Sequence, residues 1–363
     1  MQNISNKKKV AITYHGISSG KSDEKGVITY FDEAFKSVKK NIIQANPSYN
    51  FDVYFHSWKN DKESEIITML NPKRYEFEKK KEVQEFFIPD VSACDLNSGE
   101  ALVCSPIIKA YSIFSRNYSL KRSIHIIENP NDYDYIISLR FDLVMLADLN
   151  LSVIQKDRLY VNGWGLTHTQ PGKKHLDGAL IDEANIGTVL EMGFPDYMFI
   201  FVPQHAFAYA TIFDCLPSYL NRDSEYEKTF IDRNGVKGWP VKLSGHPLSC
   251  WHIRNIGLLC NVSSLGRCDI DLLLARNYDK EYIIGQQYSK EQKWDEAIQH
   301  YRKARGYGKD FNMHLEICVA YTRLGKIKEA LIHAKISNEL HANVNAQNNI
   351  GILSDILQTM KPE

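Results

Sequence analysis

The chain has no surplus of charge: 44 lysines and arginines face 44 aspartates and glutamates among its 363 residues. A general nucleic-acid binder needs a basic excess for phosphate contacts, so no nucleic-acid partner is expected. No apolar run approaches the roughly 20 residues that a membrane-spanning helix requires. The basic start, Lys7-Lys8-Lys9, leads only into the short run Val10–Tyr14, too brief for the apolar core of a secretory signal. The seven cysteines, Cys94, Cys104, Cys215, Cys250, Cys260, Cys268 and Cys318, are odd in number and include no CxxC pair. A zinc or disulfide framework is therefore not expected; reduced, mostly buried thiols in a cytoplasmic protein are. A peripheral seat at the inner face of a membrane stays compatible, although no basic amphipathic helix argues for one.

What is present is an ordinary globular composition, 44% hydrophobic, with enough length for two domains. Val10-Ala11-Ile12-Thr13-Tyr14 is β-rich and ends at His15-Gly16. Phe31, Phe35, Val38 and Ile42 then recur at helical spacing until Asn46-Pro47, and Phe51–His56 reads as a second strand. Strand, helix, strand in sixty residues is the pattern of a βαβ unit with a parallel sheet. The charged stretch 61–91 reads as a surface excursion. Ile107, Tyr111 and Phe114 and, after a break, Leu120, Ile124 and Ile127 predict a helix closing at Asn129-Pro130. Tyr135–Leu139, Leu159–Val161 and Met198–Val202 are further strands. The fold class expected is α/β, a Rossmann-like, mostly parallel sheet domain over residues 1–275, followed by an all-α segment over 276–363.

Proline is absent between Pro247 and Pro362, and a repeat occupies much of that stretch. Gly285, Tyr288, Ala297, Tyr301 and Ala304 return, 33 positions on, as Cys318, Tyr321, Ala330, Ala334 and Ser337, and Cys318 returns as Gly351. Small residues at fixed spacing let paired helices approach, and aromatics fill the gaps between them. The segment resembles about two and a half tetratricopeptide repeats. It would either bind a protein partner, support self-association, or only cap and stabilise the chain.

Two places could carry chemistry. His15-Gly16-Ile17-Ser18-Ser19-Gly20-Lys21-Ser22 ends like a phosphate-binding loop, but His15 stands where that motif needs its first glycine, and acids follow where its helix should begin. Arg140-Phe141-Asp142 closes the most strand-like run in the chain. A carboxylate leaving a buried strand as an accessible acid can hold a divalent ion or a ribose, and the arginine can neutralise a diphosphate. A plain salt bridge at a strand end is the competing reading. Asp177, in the polar loop Lys173–Gly178 after the glycine-rich Tyr160–Gly165, fits either an acceptor-binding loop with Trp164 and His175 or an ordinary surface loop.

In order, the His-Gly turn, Val53-Tyr54-Phe55-His56-Ser57-Trp58, and Asp132-Tyr133-Asp134-Tyr135-Ile136-Ile137-Ser138-Leu139-Arg140-Phe141-Asp142-Leu143 carry a resemblance. It continues through Phe194–Phe201 and His246–His252. The set resembles bacterial and viral glycosyltransferases that build capsule, lipopolysaccharide or other surface glycans, with a GT-A-like nucleotide-sugar domain. The resemblance implies a nucleotide-sugar donor bound near His15, Gly16, His56, Trp58, Arg140 and Asp142, and a glycan or glycolipid acceptor. Asp196 matches the acid that such enzymes set beside the acceptor, as a catalytic base. Arg140 and Asp142 would serve the leaving diphosphate, with Mn2+ or Mg2+ on Asp142. The run holds Arg-Phe-Asp where two acids are usual, so Arg140 could replace the metal. A non-catalytic binding scaffold with a degenerate α/β domain is the alternative.

Overall fold

The computed structural model describes residues 7–18, 31–91, 105–163, 178–180, 194–228, 243–267, 271–275, 279–304, 307–308 and 310–360. The chain divides into two compact units, Met1–Leu274 and Ala275–Glu363.

The first unit is built on an eight-stranded sheet. Its strands are β1 (Lys8–Gly16), β2 (Tyr49–Trp58), β3 (Arg74–Glu78), β4 (Tyr135–Arg140), β6 (Leu159–Gly163), β7 (Gly178–Leu180), β8 (Met198–Phe201) and β9 (Val262–Arg267). The order across the sheet is β3-β2-β1-β4-β8-β6-β9-β7. Strands β3, β2, β1 and β4 are mutually parallel, β8 runs against both β4 and β6, and β7 runs against β9. A separate antiparallel pair joins β5 (Leu143–Met145) to β10 (Leu272–Leu274). The architecture is α/β with a mostly parallel sheet, as the strand–helix alternation predicts.

Successive side chains on a strand face opposite ways, and both faces of this sheet are covered. Val10, Ile12, Tyr14, Val53, Phe55, Ile137 and Leu139 pack in one core with Phe31 and Phe35 of α1 (Phe31–Val38). Ala11, Tyr54, Trp58, Ile136, Phe199 and Phe201 pack in the other with α3 (Pro106–His125). Two expectations are corrected here. Stretch 61–91 is not a mere excursion: it supplies α2 (Glu63–Leu70) and the edge strand β3. Helix α3 runs unbroken through the polar positions that suggested an interruption, because Ser115, Asn117 and Ser119 are buried within it. No described helix is long and apolar enough to cross a membrane. Among the described residues, Cys215, Cys250 and Cys318 are free thiols.

The first unit completes its helices with α4 (Pro203–Ala210), α5 (Ile212–Leu220) and α6 (Gly245–Asn255). The second unit is wholly helical where described: α7 (Lys280–Lys290), α8 (Trp294–Lys303), α9 (Phe311–Arg323), α10 (Ile327–Leu340) and α11 (Val344–Thr359). Ala297, Tyr301, Tyr321, Ala330 and Ala334 are buried as the repeat requires, whereas Tyr288 is only half-buried, its ring stacked on His300. The reason for a small residue at 285 is explicit. A Cβ there would sit 2.6 Å from the Tyr301 ring. Gly285→Ala normally adds helix propensity worth about 1 kcal/mol. Here it is expected to lower stability, since forced overpacking costs about 1–3 kcal/mol. A fall in the melting temperature of the helical unit checks this, and a rise refutes it.

Candidate functional site

In the order β3-β2-β1-β4 the chain steps outward from β1 to one side and returns on its other side. At such a reversal the loops after adjacent strands part, leaving a crevice at the carboxyl ends. His15 is the penultimate residue of β1, and parallel pairing sets it beside His56 of β2 and Arg140 of β4. Gly16 follows at φ +101°, a left-handed conformation in which a side chain would be strained. Its N–H donates to Ser119 Oγ at 2.7 Å.

Arg140 leads a buried charge network. Its Nε and Nη2 donate to the two carboxylate oxygens of Asp142 at 2.9 and 3.0 Å, and its Nη1 donates to Asp196 Oδ2 at 3.2 Å. Arg116, from the middle of α3, donates to the same Asp196 oxygen. His246 Nε2 lies 3.3 Å from Asp196 Oδ1. Side-chain exposure is 11% for Arg140 and 6% for Asp142 and Asp196. Burial alone would raise the Asp196 carboxyl, but Arg116, Arg140 and His246 together hold it well below the usual carboxylate range. Burial also opposes the charge on Arg140, yet Asp142 and Asp196 outweigh it and drive its pKa up. His15, buried beside Arg140, is lowered to about 3 and stays neutral. Its Nδ1 lies 3.3 Å from Ser138 Oγ.

Strand reversal explains how Asp196 arrives. Because β8 is antiparallel to β4, with Met198 opposite Leu139, the residues just before β8 lie by the end of β4. The Arg140 N–H donates to the Tyr197 carbonyl at 3.3 Å, continuing that ladder. Gly245 opens α6 and lets the Arg116 guanidinium lie against its backbone: a Cβ would sit 2.2 Å from Arg116 Nη2. That Nη2 is buried and has no hydrogen-bond partner among the described residues.

The structure therefore brings His15, Gly16, His56, Arg140, Asp142 and Asp196 to one edge of the sheet. Trp58 follows two residues further along β2, its ring stacked on Tyr118. Trp164, His175 and Asp177, and the Gly20-Lys21-Ser22 end of the phosphate-loop-like run, lie outside the described residues. Arg116 escaped the sequence reading because a polar residue inside a long helix carries no motif. His246 stood in the run that continues the resemblance, with no role of its own, and its contact with Asp196 bridges 50 positions.

Asp142 does not fit the divalent ion expected there. Both of its oxygens accept from Arg140, and the neighbouring acid, Asp196, is already shared by two guanidiniums. Two arginines balance two aspartates, which leaves no negative surplus to attract a dication. Nor is Asp142 an accessible strand-end acid, at 5% overall exposure.

This burial sets two outcomes. Asp196→Ala strands two guanidiniums, and breaking a buried pair costs about 3–5 kcal/mol; a urea midpoint unchanged from wild type refutes it. The unit should also be acid-sensitive. His15 is lowered to about 3, and His56 and His252 to about 4, against 6.5 when unfolded. Below about pH 6.5 the unfolded chain takes up protons that the folded one cannot, so this stability is complete above that value and lost as pH falls toward about 4. Melting temperatures from about pH 7.5 to about pH 4.5 should decline, and His15→Asn should flatten the decline. An equal slope in that variant refutes the assignment.

No family model and no curated protein matches this chain.

Proposed function

We propose that the first unit is a nucleotide-sugar-dependent glycosyltransferase of GT-A-like architecture. The observation that carries it is a guanidinium, Arg116, with a buried and unpartnered Nη2 at the crevice edge of a 3-2-1-4 parallel sheet. Open α/β sheets bind ligands at that edge, and an unmet arginine donor suits an anionic oxygen such as that of a diphosphate. In this reading an acceptor hydroxyl oxygen bonds to the sugar's anomeric carbon as the bond from that carbon to the phosphate oxygen breaks, and the nucleoside diphosphate leaves with the electron pair. Arg116 and Arg140 meet the developing charge. Arg140 spends three of its five N–H groups on Asp142 and Asp196, so two remain to reach a phosphate.

Asp196 takes a different part from the base that the family resemblance implies. A carboxylate held well below its usual range by two arginines accepts a proton poorly. It instead fixes the arginines and orients His246, which is 27% exposed on its side chain and so is the member of the pair an acceptor can reach. The acceptor's proton goes to His246. The helical unit, in tetratricopeptide-like pairs, contributes a partner or self-association surface, and the protein works in the cytoplasm on a glycan or glycolipid acceptor.

A second reading has its own support. The Arg140–Asp142 pair is bidentate and buried, as a purely structural salt bridge would be, which favours a non-catalytic scaffold. A thermal-shift screen of the full chain with UDP, GDP, CMP and ADP separates the two. One nucleotide should raise the melting temperature, by about 2.7 kcal/mol of stabilisation at a hundredfold excess over its dissociation constant. Arg116→Ala should weaken that binding while the protein still folds, and His246→Gln should leave binding intact while abolishing release of nucleoside diphosphate from the sugar donor. No shift with any of the four overturns the transferase reading and leaves the scaffold.

A further inference from the structure

Beside the arginine–aspartate network lies a second cluster with a different chemistry. Parallel pairing of β2 with β3 sets His56 opposite Glu76 and Trp58 opposite Glu78. Residues two apart on a strand share a face, so His56, Glu76 and Glu78 all project toward α3. One ligand atom from each lies within 4.8 Å of the others, and His56 Nε2 is 3.7 Å from Glu78 Oε1. Among the described residues this is the one trio with such geometry.

The His56 ring is completely buried, and its Nε2 has no hydrogen-bond partner. Which ring nitrogen bears the proton follows from Ser119. That hydroxyl has a single hydrogen, and it donates to the His56 carbonyl at 3.2 Å. Its oxygen accepts from the Gly16 N–H at 2.7 Å. With that hydrogen on the carbonyl, the contact of 2.8 Å from His56 Nδ1 to the same oxygen is Nδ1–H donating. Nε2 is left with its lone pair, buried and aimed at two carboxylates. A lone pair facing anions gains nothing there, and an orienting hydrogen bond on the other ring nitrogen is how metal-binding histidines are usually held.

The positive charge now in this pocket is Arg122, one turn along α3. Its Nη2 reaches both Glu76 oxygens at 2.5 and 2.6 Å, its Nε reaches Glu76 Oε2 at 3.0 Å, and its Nε lies 3.2 Å from Glu78 Oε1. Tyr118 donates to Glu78 Oε2 at 2.9 Å, and Lys81 lies over the Tyr118 ring. Arg122 could donate to that lone pair, but its contacts go to Glu76 and Glu78 instead, and Nε2 stays unmet. It is 39% exposed on its side chain and can swing away.

We propose that His56 Nε2, Glu76 and Glu78 form a binding site for one first-row divalent cation such as Zn2+, in competition with the Arg122 guanidinium. Imidazole with two carboxylates is a donor set such ions accept, and Zn2+ outranks Mn2+ on it. Ligand atoms at about 2.0–2.1 Å from a tetrahedral ion stand about 3.3 Å apart, so the 3.7 Å gap from His56 to Glu78 needs slight closure, and the trio as a whole, within 4.8 Å, must draw in by up to about 1.5 Å as Arg122 leaves. The ion replaces the charge that Arg122 gives up and satisfies the one ring nitrogen that Arg122 leaves unmet.

The test is calorimetric titration of the full-length, nucleotide-free protein with Zn2+ alone, so it stands or fails apart from the transferase reading. One equivalent should bind and raise the melting temperature. Glu78→Gln, at a partly exposed position, should weaken binding at least about tenfold, as should His56→Gln if it folds. Arg122→Gln should strengthen it, because the rival cation is gone. Co2+ in place of Zn2+ should give visible absorption that Glu78→Gln abolishes. The site is overturned by no saturable binding, by equal affinity in Glu78→Gln, or by weaker binding in Arg122→Gln.

Discussion

One buried carboxylate organises the crevice edge of the first unit. Asp196 accepts from Arg116 of α3 and Arg140 of β4 and contacts His246 of α6, so it ties three separate elements together at one point. Its own charge is tolerable inside only because those partners surround it. The positions of β8, of the α6 start and of the α3 midpoint are thereby linked, while the neutral state of His15 follows first from its burial and then from Arg140, against the pull of Asp196. Gly245 belongs to this constraint as much as the charged groups do, since its missing Cβ is the space the Arg116 guanidinium occupies.

The readable strands were those buried on both faces. Val10–Tyr14, Phe51–His56 and Tyr135–Leu139 are apolar runs because helices cover each side, and their order with the intervening helices gives a parallel sheet. The edge strand β3 was not readable. Arg-Tyr-Glu-Phe-Glu alternates polar and aromatic residues, is half-exposed, and resembles solvated surface until β2 is placed beside it. Direction was hidden too: nothing in Met198–Phe201 says that it runs opposite to its neighbours. In the helical unit the small–aromatic spacing pointed to helices, and one of its pairs, Gly285 against the Tyr301 ring, lies within a single hairpin.

For the candidate site, the sequence supplied the groups at strand ends and missed those that balance them. His15, Arg140 and Asp142 could be picked out because a strand's carboxyl end is a known place for ligands. That Asp142 would be fully engaged by Arg140 could not, since accessible acids and bidentate pairs share the spelling Arg-x-Asp. The partners Arg116, Ser119 and Arg122 lie on one helical face at spacings of three, a pattern that a solvated helix shows equally well.

The reversal of β8 makes the chain unequally tolerant of changes in length. Asp196 enters just upstream of that strand, so adding or deleting residues immediately before Phe194 would shift the carboxylate against both of its arginines. Downstream the strand delivers the chain to the opposite edge, into Val202-Pro203 and α4. An insertion at the exposed turn Asn221–Asp223, where Asp223 already adopts φ 61°, would leave every member of the charge network where it is. An inserted segment therefore has a natural place at that turn downstream of the four-residue strand, and a costly one directly before Phe194.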